Sequence, residues 1–135
     1  MALPNGAGGY QIGDGNRSET QMSACSVPQT ATSTATLTAA QILGGMLYAN
    51  PSTSAATYTL PTAAAIDSAL PSATTGSSFD LAIINVGTSS GAVTLSMGTG
   101  ITDGGNAAVA VAVTSSALFR FLKTADGAYT VYKVA

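Results

Sequence analysis

Apolar and polar positions alternate through most of the chain from residue 31 onward, and the period is two. In Ala31-Thr32-Ser33-Thr34-Ala35-Thr36-Leu37-Thr38 every even position is threonine. One face of the predicted strand is therefore a threonine ladder, and the other carries small residues and Leu37. Thr38-Ala39-Ala40-Gln41-Ile42-Leu43 reads as one helical turn capped by Thr38 and stopped by Gly44-Gly45. A short strand over 46–49 follows, and Asn50-Pro51-Ser52 turns the chain. Ala56-Thr57-Tyr58-Thr59-Leu60 then places Ala56, Tyr58 and Leu60 inward. Pro61 ends that strand. Thr62 caps a second short helix over 63–70, with Ile66 and Leu70 as its buried contacts and Pro71 as its stop.

The second half is strands with turn punctuation. The stretch 78–86 sets Phe79, Leu81 and Ile83 on one face, and 92–97 buries Val93, Leu95 and Met97; these two are expected to form a hairpin. Asp103-Gly104-Gly105-Asn106 reads as a turn, and 107–113 as a strand with Val109, Val111 and Val113 inward. Segments 118–123 and 129–134 close the chain around Ala125-Asp126-Gly127. A two-residue loop there would set Arg120 opposite Lys133, whereas a three-residue loop sets Arg120 opposite Tyr132. The second is preferred because contact between cation and ring replaces like-charge repulsion. Connections this short argue against parallel crossovers. The expected fold is all-β: a jelly-roll-like sandwich or barrel of about eight short antiparallel strands with two short helical insertions.

Residues 1–30 follow no period. Glycines crowd positions 6–15, and Leu3, Tyr10, Ile12, Met22 and Val27 stand isolated. Yet Asp14, Arg17 and Glu19 fall within six positions of one another. The organisation is therefore an extended N-terminal arm, 1–30, ahead of a β domain, 31–135, and the arm reads as a segment that orders on a neighbour.

Composition narrows function more than fold. Of 135 residues, four are basic and six acidic, while 25 alanines, 19 threonines and 15 serines supply the bulk. Such a surface suits a protein covered by partners. A net charge of −2 leaves no clustered cations for phosphates, so nucleic acid is not an expected partner. No apolar run reaches membrane-spanning length, and the first residues lack the basic and apolar regions of a secretory leader. Without histidine and with one cysteine, Cys25, neither a Ser-His-Asp triad nor an intrachain disulfide can form. Cys25 reads as a small buried or arm-packed residue, with an interchain disulfide as the alternative.

Candidate sites are few. Asp14 to Glu19 starts like a calcium loop, but Glu19 stands where glycine is needed and Cys25 where a glutamate is needed. The glycine-rich stretch 98–105 has no lysine after it and reads as a hairpin connection, not a phosphate cradle. Asn16-Arg17-Ser18 fits the glycosylation pattern, which carries little weight without a leader. Asp67, Asp80, Asp103 and Asp126 sit where solvated or capping carboxylates are ordinary, and no pair is placed for acid and base work. Arg120, Lys123 and Lys133 gather in the last hairpin, where they either dock an acidic neighbour or shield an edge strand. No enzyme, cofactor or metal site is expected.

Several segments together resemble a known family: Tyr10-Gln11-Ile12-Gly13-Asp14-Gly15-Asn16, the run from Thr36 to Gly45, Tyr58-Thr59-Leu60-Pro61-Thr62, the run from Ser78 to Asn85, Val93-Thr94-Leu95 with Gly98-Thr99-Gly100, and Phe119-Arg120 with Lys123-Thr124. In this order they are similar to capsid decoration (cement) and head-fibre proteins of tailed double-stranded DNA bacteriophages. The resemblance implies a structural virion protein made in the host cytoplasm, a homotrimer on the outer capsid surface clamping subunits of the major capsid protein. It also implies partner contacts by arm residues, here Tyr10, Ile12, Asp14, Asn16, Arg17 and Glu19. Leu118 to Lys123 is more apolar than the basic strand of such relatives, which weighs against charge-driven docking there. The alternative is a receptor- or glycan-binding head-fibre or tail-fibre module.

Overall fold

The computed structural model describes residues 29–135. In chain order the elements are β1 (Gln29–Ala31), β2 (Ala35–Thr36), α1 (Ala39–Leu43), β3 (Met46–Ala49), β4 (Ala56–Thr59), α2 (Ala63–Ala69), β5 (Ser78–Asn85), β6 (Val93–Ser96), β7 (Ile101–Gly105), β8 (Ser115–Ala125) and β9 (Ala128–Lys133). The β-rich expectation holds, with two short helices where threonine caps predicted them. At α1 the Gln41 N–H donates to Thr38 Oγ1 (3.2 Å) while the Thr38 N–H donates to Gln41 Oε1 (2.8 Å), a reciprocal cap. Ala65 N–H donates to Thr62 Oγ1 at α2 (3.2 Å).

Strand sense departs from the expectation. A six-stranded sheet has the order β1-β3-β5-β8-β9-β7, and a three-stranded sheet the order β2-β4-β6. β1–β3, β3–β5, β2–β4, β4–β6 and β7–β9 are parallel; only β5–β8 and β8–β9 are antiparallel. The antiparallel jelly-roll pairing and the hairpin between 78–86 and 92–97 are thus corrected. Short connections misled because they join strands of different sheets. The chain passes from one sheet to the other and back, so the crossover from β1 to its partner β3 is 32–45, and that from β3 to β5 is 50–77. Both exceed the dozen or so residues a parallel connection needs.

This alternation explains three further differences. The threonine-rich stretch 31–38 is not one strand: it leaves the large sheet after Ala31 and joins the small one at Ala35. The 98–105 stretch is a crossing between sheets that enters β7, not a hairpin connection. The 107–113 segment, read as a strand, keeps only one bridge, between Val111 and Val93, and leaves Val109 52% exposed. Asp103 prevents the strand continuing: its carboxylate accepts from the N–H groups of Gly105 (3.0 Å), Ala107 (2.9 Å) and Ala108 (3.1 Å), curling the backbone around it.

Between the sheets lies one core. Leu47, Leu81, Ile83, Phe119, Phe121, Tyr129 and Val131 face Tyr58, Val93 and Leu95, while Leu37, Ile42, Leu60 and Ile66 enter from the connections. The last hairpin has the preferred register, Arg120 opposite Tyr132 and Phe121 opposite Val131. It is reached through a tight Asp126-Gly127 turn, Gly127 at φ +69°, and a bulge between Lys123 and Ala125 that absorbs the extra residue. Buried Asn85 ties the far end together. Its Nδ2 donates to the carbonyls of Gly91 (2.9 Å), Val111 (3.0 Å) and Ala112 (3.1 Å), and its Oδ1 accepts from the Gly87 N–H (2.8 Å).

Candidate docking surface

The two sheets turn very different faces outward. On the small sheet, Ala56, Tyr58, Val93 and Leu95 point into the core, so the alternate positions Thr57, Thr59, Thr94 and Ser96 point away, joined by Thr36 beside Thr59. Every one carries a hydroxyl. This is the surface that water prefers, and of the threonine ladder anticipated from sequence it contains Thr36.

The large sheet does the opposite. With Leu81, Ile83, Phe119 and Phe121 inward, its outer positions fall into cross-strand rows. Tyr48, Ile84 and Ser116 form one; Met46, Ala82 and Leu118 the next, which Val134 extends by donating its N–H to the Leu118 carbonyl (2.9 Å). Asp80, Arg120 and Tyr132 form the third, and Ser78, Leu122 and Thr130 the fourth. Tyr48 (42%), Tyr132 (36%) and Val134 (47%) are exposed, and Met46, Ile84, Leu118 and Leu122 are half-buried. A sheet with one solvated face ordinarily alternates apolar inside with polar outside. Here the outer positions of β5 and β8 are mixed: Ala82, Ile84, Leu118 and Leu122 are apolar beside Ser78, Asp80, Ser116 and Arg120, and an exposed apolar cluster of this kind marks an interaction surface.

One ion pair sits on that face. Arg120 Nε and its second guanidinium nitrogen donate to the two oxygens of Asp80 at 2.8 and 3.0 Å. Those hydrogen bonds hold the Asp80 carboxyl below the usual carboxylate range. Both side chains are well solvated, at 51% and 39% exposure, so the pair contributes at most about 1 kcal/mol. It replaces the expected contact between Arg120 and the Tyr132 ring.

Other ions gather where α2 meets the last hairpin. Lys123 is only 4% exposed; its Nζ donates to Asp67 Oδ1 (2.8 Å) and the Ala73 carbonyl (3.3 Å) and lies 3.2 Å from Asp126. Asp67 also accepts from the Tyr129 hydroxyl (2.8 Å) and, through Oδ2, the Gly127 N–H (2.6 Å). The hydrogen bond from Lys123, then those from Gly127 and Tyr129, lower the Asp67 carboxyl to about 2. Burial, then Asp67, pushes the Tyr129 phenol up to about 12, and Asp67 raises Lys123. At neutral pH all three hold fixed protonation states, so the cluster braces the α2–β9 junction and does not exchange protons. Because the Asp67 pKa is depressed on folding, its contribution is complete above the unfolded value near 3.9 and fades as pH falls toward 2. The wild-type urea midpoint should therefore drop between about pH 4 and pH 2. In D67N that part of the drop should be absent and the midpoint at neutral pH lower, as urea titrations across this range would show.

Of the residues expected to act, the arm set Tyr10, Ile12, Asp14, Asn16, Arg17 and Glu19 lies outside the described residues, as does Cys25. Arg120, Lys123 and Lys133 do not shield an edge: β8 and β9 are interior strands of the sheet, flanked by β5 and β7. Asp67 and Asp126, read as separate solvated carboxylates, share one ammonium. Sequence reading missed the outer face itself, although its signal was present: Ile84 beside Ile83, and Leu118 and Leu122 beside Phe119 and Phe121, are apolar at positions that alternate with the core residues. Among the described residues, no helix is long and apolar enough to cross a membrane, and no cluster of acidic or sulfur side chains is placed to hold a metal. Compared with protein-family models, curated proteins and solved structures, the chain finds no match.

Proposed function

We propose that the protein is a structural virion component that decorates and stabilises the outer surface of a bacteriophage capsid, as a homotrimer clamping subunits of the major capsid protein. One observation carries this reading: the apolar cluster on the outer face of the six-stranded sheet, on a molecule whose other sheet presents only hydroxyls. A surface that stays apolar beside one that is solvated is built to be covered, and a charge-poor protein suits such a covered position. In this reading the two-layered β body takes the place of the jelly-roll-like domain of the resembled proteins. The arm of residues 1–30 supplies capsid contacts through Tyr10, Ile12, Asp14, Asn16, Arg17 and Glu19. Many modest contacts repeated over a symmetric shell add up by multivalency, so none has to be strong.

Quantitative mass spectrometry of purified particles of the source phage tests this. Copy numbers comparable with the major capsid protein are expected, together with loss of particle binding when residues 1–28, the part of the arm that precedes β1, are deleted from an otherwise folded chain. A few copies per particle at the tail, with binding that depends on glycan, would favour the fibre module. Unchanged binding after deletion would remove the arm from the mechanism.

A further inference from the structure

We propose that the cleft between the end of α2 and the start of β5 binds a neutral sugar ring. The inference stands apart from the capsid reading, because the cleft uses neither the apolar outer cluster nor residues 1–28.

The cleft arises where the core stops short. Phe79 lies on the inner face of β5, in phase with Leu81 and Ile83, yet it is half-buried where they are fully buried. A cavity of about 380 Å³ remains at that end of the strand, bounded by Leu70, Pro71, Ser77, Ser78 and the rings of Phe79 and Tyr129. This is the size of a small-molecule site. Phe121 covers one face of the Phe79 ring, with centroids 4.8 Å apart, and Tyr129 meets it edge-on at 6.4 Å. The ring is therefore fixed, and the surface it leaves uncovered lines the cleft.

The opposite wall is fixed as well. Ala73 N–H donates to the Leu70 carbonyl (3.0 Å), Thr74 N–H to Ser77 Oγ (3.1 Å) and Gly76 N–H to the Lys123 carbonyl (2.8 Å). Lys123 Nζ holds the Ala73 carbonyl (3.3 Å) while it pairs with Asp67 (2.8 Å). The chain has ten charged residues, four basic and six acidic, and three of them, Asp67, Lys123 and Asp126, meet behind this wall. A wall held before the ligand arrives lowers the ordering cost of binding.

The lining selects the ligand class. Among the described residues, none that lines the cleft carries a charge, so an ionic ligand would lose water without gaining a counter-ion. Leu70, Pro71 and Phe79 supply apolar surface, and Ser72, Ser77 and Ser78 supply hydroxyls. Ser77 Oγ already accepts from Thr74, which leaves its O–H to donate. A pyranose matches both halves: its C–H face rests on the aromatic and aliphatic surface, and its hydroxyls exchange hydrogen bonds with the serines. A wholly apolar ligand would strip those serines of water and return no hydrogen bond.

Saturation-transfer NMR of the full chain with the methyl glycosides of glucose, galactose and mannose tests this, each variant being checked for folding by circular dichroism and its urea midpoint. Transfer to the C–H protons of at least one glycoside is expected. A69W, which sets an indole at the cleft from an exposed position on α2, should abolish it. F79L, which keeps apolar volume but removes the aromatic face, should weaken binding about tenfold. T94A, on the hydroxyl face of the small sheet, should bind as wild type does. Absence of transfer from folded wild type to all three glycosides, or unchanged binding in either folded cleft variant, would overturn the proposal. Transfer to N-acetylphenylalanine amide with none to the glycosides would also overturn it and reassign the cleft to an apolar side chain of a protein partner.

Discussion

Replacing Asn85 by aspartate should destabilise the fold by about 3–5 kcal/mol at neutral pH, the largest effect expected of any single conservative change in this chain. Asn85 sits at the end of β5 with its amide donating to three carbonyls, those of Gly91, Val111 and Ala112, and its oxygen accepting from Gly87. Through them one side chain fastens the 86–92 loop and the 106–114 segment to the sheet. A carboxylate has the same shape and no donor. It would leave the Gly91 and Ala112 carbonyls without the Asn85 donor, leave the Val111 carbonyl only its bond from the Val93 N–H (3.0 Å), and place a buried negative charge against all three oxygens. The surrounding backbone cannot retreat, since a Cβ on Gly91 would already meet the Ser52 carbonyl oxygen. N85A, which removes the donors without adding charge, should cost about half as much. Urea unfolding of the three proteins checks the order. Because burial favours the neutral acid, the N85D deficit relative to wild type should shrink as pH falls through the carboxylate range.

Truncating Phe121 to alanine should cost a similar amount, about 3–5 kcal/mol. Its ring is fully buried in β8, stacked on Phe79 of β5 with centroids 4.8 Å apart and planes 9° from parallel, and Phe79 in turn meets Tyr129 edge-on at 6.4 Å. The substitution removes apolar volume from the core and the surface against which Phe79 is held, close to the Asp67–Lys123–Tyr129 brace. F121L, which keeps most of the volume, should lose far less. A thermal unfolding series that found F121A within 1 kcal/mol of wild type would mean that this end of the sheet collapses to fill the space.

Local chemistry was the legible part of the sequence. Thr38 and Thr62 announce their helices because each cap is satisfied within four residues of chain. Tyr58 and Leu95 announce their inward faces because alternation is a property of one strand. The preferred pairing of Arg120 with Tyr132 was right although its reason was not, since the guanidinium turns to Asp80 on a strand forty positions earlier. What could not be read was which strand lies beside which. Alternation is identical in parallel and antiparallel neighbours, so nothing in 78–86 or 92–97 reveals that the two belong to opposite sheets. The docking surface was hidden for a related reason. Ile84, Leu118 and Leu122 look like surplus core until the register aligns their rows on one outer face. The buried Lys123 was hidden in the same way, because its partner Asp67 lies on a helix that only the sheet crossing brings near.

The central claim is that this outer face is covered in the working assembly. Hydroxyl-radical footprinting of the protein on intact particles, read at Tyr48, Tyr132 and Met46 and compared with the free protein as control, tests it most directly. The account predicts strong protection of all three residues on particles and free modification in the control. Tyr48 and Tyr132 reacting equally fast in both would contradict it.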